Sequence, residues 1–345
     1  MDQLAHRVAF SSRRVQFLAA EIEDSLFCSN FQNFEIGPPI FVTSLPRAGT
    51  TVLLTALNSV PELATHLYRD MPFIMAPVLW SRLIGGYRQE AATRERAHRD
   101  GIEIGYDSPE AFEEVIWQAF WPEHFKPDGI SLWSPEDADA EAKAFMHRHF
   151  QKIVYLRLGE NTAAGRYISK NNANIARLDL IPHLFPGAQI IVPVREPVAH
   201  AASLKRQHEN FRNLHAEDQF TRRYMADIGH FEFGALHRPI QFELFESLST
   251  GLTPGDLDYW LAYWVAAFEH IGQHRESAHL VNYERVCEGG EMAGGLLCEL
   301  LGLDPSNAGA IGAHFRAPPG RQHLNSHRSE LRDRAEALYQ NLVGS

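Results

Sequence analysis

Residues 39–57 read PIFVTSLPRAGTTVLLTAL, a stretch whose hydrophobic period changes in the middle. The run Ile40, Phe41, Val42, Thr43 is β-branched and aromatic, the composition of a short buried strand. Leu45, Pro46, Arg47, Ala48 and Gly49 form a turn, and Thr50 and Thr51 open an amphipathic helix that runs to about Ser59, ahead of Pro61. The first amides of a helix have no partner within it and point outward together, so a strand entering a helix through such a turn aims donors at an anion. Gly49 lets the backbone approach closely, and the two threonines add hydroxyl donors.

The phosphate loop of nucleoside triphosphatases reads G-x-x-x-x-G-K-[ST]. Here Ser44 stands at the first glycine and Thr50 replaces the lysine, while Arg47 supplies the cation. The loop is suited to an anion rather than to magnesium-ATP.

Working outward, residues 2 to about 30 fit an amphipathic helix with Val8, Val15, Leu18 and Ile22 on one face, and 31–39 form a linker. Residues 74–100 read as mainly helical, ending in a charged run from Arg88 that suits a solvated face. Asp107-Ser108-Pro109-Glu110 has the chemistry of a helix start before Phe112, Val115, Ile116 and Phe120. Ser134-Pro135-Glu136-Asp137 repeats it for a helix reaching about Leu156. Strands are expected at 167–169, 189–194 and 278–283, and helices at 178–184, after Pro197, at 254–274 and at 291–302. The aromatic helix residues Tyr259, Trp260, Tyr263, Trp264 and Phe268 fit a core stripe better than a substrate wall. Strands separated by helices predict an α/β fold of three layers, P-loop-like, with a central mainly parallel sheet and added helical insertions. The expected organisation is one domain: a helix and linker over 1–38, a core over 39–303 with a helical insertion at about 74–160, and a C-terminal loop and helix over 304–345.

The 345 residues carry Lys+Arg 32 against Asp+Glu 43, a net charge of −11, which argues against a general nucleic-acid binder. An anionic ligand must then be held by a local cluster of cations and amides. Cys28, Cys287 and Cys298 show no paired spacing, and no apolar leader or membrane-length stretch is evident, so a reducing, cytoplasmic setting is expected. The 18 histidines show no metal-ligand spacing; His147 and His149 project to different helix faces.

A second constellation is Lys170-Asn171-Asn172, then Phe185-Pro186-Gly187-Ala188, then Val194-Arg195-Glu196-Pro197 with Ser203 eight residues beyond the arginine. Arg195 follows a buried strand, where open α/β sheets place their ligands, and with Ser203 it can grip a phosphate; a capping or ion-pairing arginine is the plainer alternative. Together, L-P-R-A-G-T-T, K-N-N and V-R-E-P in this order resemble the sulfotransferases that use 3′-phosphoadenosine 5′-phosphosulfate (PAPS). The likeness is nearest to the branch with arginine in the first loop, which includes bacterial and tyrosylprotein enzymes. It spans roughly residues 39 to 285.

The resemblance implies that Arg47, Ala48, Gly49, Thr50 and Thr51 hold the 5′-phosphosulfate end, and that Lys170 reaches the same oxygens. It implies that Arg195 and Ser203 grip the 3′-phosphate and that Tyr283 lies near the nucleotide, although a strand-end core aromatic also fits Tyr283. Arg47 and Lys170 would stabilise charge on the leaving oxygen. Sulfuryl transfer calls for no metal. A base must take the acceptor's proton. The tyrosylprotein branch places a glutamate soon after the first helix; here Glu62, His66 and Asp70 stand in that region. Asp70 is favoured, because an apolar surrounding would raise its pKa, with His66 or a purely structural Asp70 as alternatives. Arg316 and Arg321 are candidate lid residues. A nucleotide-dependent kinase and a non-catalytic nucleotide-binding module are the competing readings. The acceptor class stays open among small molecules, carbohydrates, lipids and peptides, as does the oligomeric state.

Overall fold

The computed structural model describes residues 3–31, 35–84, 94–95, 103–104, 107–110, 112–159, 165–317 and 328–344. Its centre is a five-stranded sheet built from β1 (Gly37–Val42), β2 (Leu63–Ala64), β3 (Arg166–Lys170), β4 (Gln189–Val194) and β5 (Ala278–Asn282). The spatial order is β2-β3-β1-β4-β5 and every pairing is parallel. Buried parallel strands read as near-continuous apolar runs because both faces are covered. In β1 the alternation is visible: Ile40 and Val42 join the core on one face and Phe41 the core on the other.

The first face packs against the Thr50–Leu57 and Glu291–Leu301 helices through Leu53, Leu54, Leu57, Leu297 and Leu301. The second packs against the Ala140–Leu158 and Leu257–Gln273 helices through Phe150, Ile153, Trp264 and Phe268. Register fixes the functional edge. Val42 lies beside Lys170 on one side and Ile191 on the other, so the carboxyl ends of β3, β1 and β4 adjoin. In an open α/β sheet that edge is where ligands bind.

Several expectations need correction. The N-terminal stretch is two helices, Gln3–Ala9 and Arg13–Phe31, and the apolar face faces outward, with Leu18 56% and Ile22 44% exposed. The buried face carries Gln16, Ala19, Ala20 and Glu23 instead. Its small residues allow close approach, and Glu23 Oε2 accepts from the Leu79 amide at 2.6 Å, satisfying an orphan donor in the first turn of the Pro77–Ile84 helix. Lys152 then neutralises that buried carboxylate at 2.8 Å.

Of residues 74–100, Pro77–Ile84 is helical, while Arg94–Glu95 pairs antiparallel with Glu103–Ile104; the rest of the charged run lies outside the described residues. The helix expected from 107 begins at Glu114, because Pro109 bridges to Leu67 and the Glu110 amide bonds to the His66 carbonyl. Pro135–Asp137 is a short 3-10 turn, and the long helix starts beyond it at Ala140, capped by the Asp139 carboxylate.

Candidate active site

The turn after β1 is held in an uncommon conformation. Arg47 has φ 73 and Gly49 φ 89, the left-handed region that a side chain rarely occupies. Gly49 is required twice over, since a Cβ there would sit 2.5 Å from the Tyr283 ring. Neighbouring strand ends anchor the turn. Ser44 Oγ donates to the Pro193 carbonyl at 2.8 Å, and His200 Nε2 donates to the Pro46 carbonyl at 2.8 Å. Ala48 is buried beneath the turn, and Thr50 and Thr51 occupy the first turn of the eight-residue helix.

The crossover after β4 meets this turn directly. Arg195 Nη1 donates to the Arg47 carbonyl at 2.7 Å, and Arg47 Nε lies 3.5 Å from Ser203 Oγ. The Arg195 guanidinium stands 5.2 Å from the centre of the Tyr283 ring. Its pKa is drawn down by burial, with Arg47 and Arg206 adding to the effect against Tyr283 and Glu284. The Glu196 carboxylate already caps the Pro197–Glu217 helix through the amides of Val198 and Ala199. The amides at this helix end are therefore already taken. Glu284, next to Tyr283, is structural: it accepts from the Glu196 amide and from the Tyr339 hydroxyl.

Lys170 ends β3 beside Val42, with Nζ 3.9 Å from Glu110 Oε1. Glu110 in turn accepts from the Tyr68 hydroxyl at 2.6 Å. A chain of polar contacts leaves the turn after β1 from Thr50. Its hydroxyl donates to Asn172 Oδ1 at 3.1 Å, and Asn172 Nδ2 donates to Glu232 Oε1 at 3.3 Å. Glu232 Oε2 lies 3.4 Å from His230 Nδ1. Burial works against both charges, yet each favours the other: His230 is raised and Glu232 lowered to about 2. Glu110, His230 and Glu232 had no assigned role in the sequence, where the only hint for Glu232 is one acid within the aromatic run Phe231-Glu232-Phe233.

Asp70 is placed differently from expectation, and the idea that its setting raises its pKa is corrected. It is 2% exposed; burial alone would raise the pKa, but Arg157, bonded to both carboxylate oxygens, and His66 hold it below the ordinary value. Asp70 Oδ2 also accepts from the Leu67 amide at 2.9 Å, closing a turn. His66 is equally committed, with Nδ1 3.1 Å from Asp70 and Nε2 2.8 Å from His149 Nε2. Arg69 pairs with Asp107, not with Asp70.

Beneath Asn171 lies a second buried ionic group. Arg177 is sandwiched between Trp117 and Trp133, each ring centre 4.3 Å away, and forks onto Glu114 at 2.7 and 2.9 Å. Glu114 also accepts from the Asn171 side chain. The turn that carries Lys170, Asn171 and Asn172 is thus seated on a buried ion pair.

A narrow cleft of about 470 Å³, counting space open to solvent, lies beside the loop, bordered by Leu45, Pro46, Asn172 and Glu232. Trp260 and Tyr263 of the aromatic helix reach it as well, so that helix serves the core and the cleft wall together. Arg316 is exposed and donates to the carbonyls of Ala313 and Phe315. Arg321 lies outside the described residues. Among the described residues no helix is long and apolar enough to cross a membrane, and no group of three or more potential ligand side chains is placed to hold a metal.

Comparison with known proteins bears on the family and the fold. Residues 38–238 match the model of the Sulfotransferase family. Among solved structures, sulfotransferase STF9 from Mycobacterium avium is similar at TM-score 0.52 and 17% identity, covering 98% of this chain and 81% of that one. Sulfotransferase STF1 from Mycobacterium tuberculosis H37Rv is similar at TM-score 0.49 and 13% identity, covering 96% and 83%. No curated protein matches the chain.

Proposed function

We propose that this chain, which belongs to the sulfotransferase family, moves a sulfuryl group from PAPS to an acceptor. One observation carries the reading. Two anion-binding groups, the Arg47–Thr51 turn and the Arg195–Ser203 pair, share one rim, joined by the 2.7 Å bond from Arg195 to the Arg47 carbonyl. A donor charged at both its 5′ and 3′ positions needs two such grips side by side. The residues fit it: the bare Gly49 lets Tyr283 pack against the turn, where its ring would flank a base, and the first-turn amides with Thr50 and Thr51 would hold the phosphosulfate end.

When bound, PAPS supplies the activated sulfuryl group. Arg47 and Lys170 concentrate positive charge where the leaving oxygen becomes anionic, preorganised by the strand ends that hold them. Lys170 keeps its place through β3 pairing and Glu110. Arg195 and Ser203 select for the 3′-phosphate, which ATP lacks. A kinase is less well served, because Thr50 replaces the loop lysine and β4 ends in Val194 rather than an acid to hold magnesium, with Glu196 beyond Arg195 committed to capping the next helix.

Calorimetric titration tests the reading. The product analogue 3′-phosphoadenosine 5′-phosphate (PAP) should bind without magnesium, at least about a hundredfold more tightly than ATP with magnesium, since a charge-assisted phosphate grip is worth about 1.5–3 kcal/mol per bond. Preference for magnesium-ATP would overturn it.

A further inference from the structure

The cleft beside the loop bears on what accepts the sulfuryl group. It opens where Leu45 and Pro46 leave β1 and where Asn172 follows β3, so it adjoins the oxygens that Thr50 would hold. Its walls are mainly apolar, through Ile130, Ile175, Leu204, Phe231, Ile240 and Trp260, with Asn171, Asn172 and Tyr263 as neutral polar side chains. Among the described residues that line it, the one carboxylate is Glu232, whose side chain is 25% exposed and tied through Asn172 to Thr50. The one cation among them is Arg238, whose guanidinium stands 4.3 Å from the centre of the Phe231 ring.

We propose that this cleft is the acceptor site, that it takes an uncharged, mainly apolar alcohol or phenol, and that Glu232 receives the hydroxyl proton. The proposal rests on the donor reading above. The mainly apolar walls bury a ring or alkyl body, and since Asn172, Asn171 and Tyr263 already bond within the protein they leave few partners for a dense set of hydroxyls. An anionic acceptor would meet Glu232 at the reacting end. In the step itself, the acceptor O–H bond breaks and its proton passes to a Glu232 oxygen. The oxygen lone pair forms the new S–O bond, and the bond from sulfur to the 5′-phosphate oxygen breaks with its electron pair on that oxygen. PAP and a sulfate ester result, and the proton leaves through His230 to water.

The titratable groups around Glu232 are His230 on its own segment, Lys170 from β3, His237, which also bonds the Glu232 carbonyl, and Tyr263 of the aromatic helix, while Glu110 acts on His230. His230 is a positioning residue that sets how readily Glu232 accepts a proton. With His230 protonated, Glu232 is held as a weak base; once His230 is neutral, Glu232 strengthens and can pass its proton on. The rate should therefore rise with pH along a limb above the ordinary histidine value, 6.5, from which His230 is raised.

The test uses the full chain, labelled PAPS, and three acceptors: 2-naphthol, N-acetylglucosamine and an acidic tyrosyl peptide. With PAP bound, 2-naphthol should bind by calorimetry, and it should be sulfated at least about a hundredfold faster than the sugar or the peptide. Glu232→Gln should lower turnover at least about a hundredfold while PAP affinity stays within about threefold, which also reports that the variant is folded. His230→Gln should abolish the pH limb. Faster sulfation of the sugar or the peptide overturns the proposal, as does no binding or turnover of 2-naphthol while PAP binds, or an active Glu232→Gln. Failure of PAP itself to bind would instead reject the donor reading.

Discussion

The cleft edge and the layer beneath it use the same residue types to opposite ends. At the edge, Arg47, Arg195 and Glu232 are half-buried; Arg195 donates to the Arg47 carbonyl, while Lys170 and Glu232 face Glu110 and His230 across longer gaps of 3.9 and 3.4 Å. Below, Arg177 with Glu114, and Arg157 with Asp70, have each found an opposite charge within hydrogen-bond reach and lie away from the cleft. A carboxylate in the lower layer is locked as an ion. One at the edge stands where an acceptor can reach it. Residue type and apolar context do not tell the two apart; the partner does.

The contrast is sharpest at Glu114. Glu114→Ala should leave the Arg177 charge buried between two tryptophans and cost about 3–5 kcal/mol of stability, read as a fall in the urea midpoint. A loss under about 1 kcal/mol would mean that the pair does not support the lower layer. At the edge, Arg47→Ala should leave the midpoint nearly unchanged and cut turnover by about a hundred to a thousandfold. Loss of stability without loss of rate would exchange the roles of the two layers.

Asp70→Asn comes next. It should cost about 2 kcal/mol of stability by leaving Arg157 and His66 with a neutral partner, while turnover per folded molecule is retained. A collapse of turnover with normal stability would return Asp70 to the chemistry.

Acid provides a smaller, graded test. His200 is pushed down to about 3 by burial, with Arg195 beside it. Below pH 6.5 the unfolded chain takes up a proton that the folded chain refuses, so stability should fall by up to about 1.4 kcal/mol per pH unit from this residue. His200→Asn should flatten that slope. The smallest effect is expected at the outward apolar face of the N-terminal helix, where Ile22→Gln should change stability by no more than about 0.5 kcal/mol. A larger loss would show that this face is covered.

Local chemistry was legible in the sequence. The strand, turn and helix of residues 39–57 declare themselves because period, glycine and capping residues lie within a few positions of one another. The positions of Lys170 and Arg195 were legible for the same reason, Lys170 at the end of an apolar strand and Arg195 just beyond one. The status of Asp70 was not, because Arg157 and His149 stand far along the chain and meet only when the Ala140–Leu158 helix packs behind β2. Glu232 was hidden likewise, since its link to Thr50 runs through Asn172, and neither is a sequence neighbour. The N-terminal helix misled because its docking face is made of alanines and a salt-bridged glutamate rather than its larger aliphatics.

The most direct test compares the binding of PAP and of adenosine 5′-phosphate to the native protein and to Arg195→Ala. If Arg195 grips the 3′-phosphate, PAP affinity should fall by about tenfold or more while adenosine 5′-phosphate affinity stays within about threefold. Equal losses for the two nucleotides would contradict the shared-rim account of the donor site.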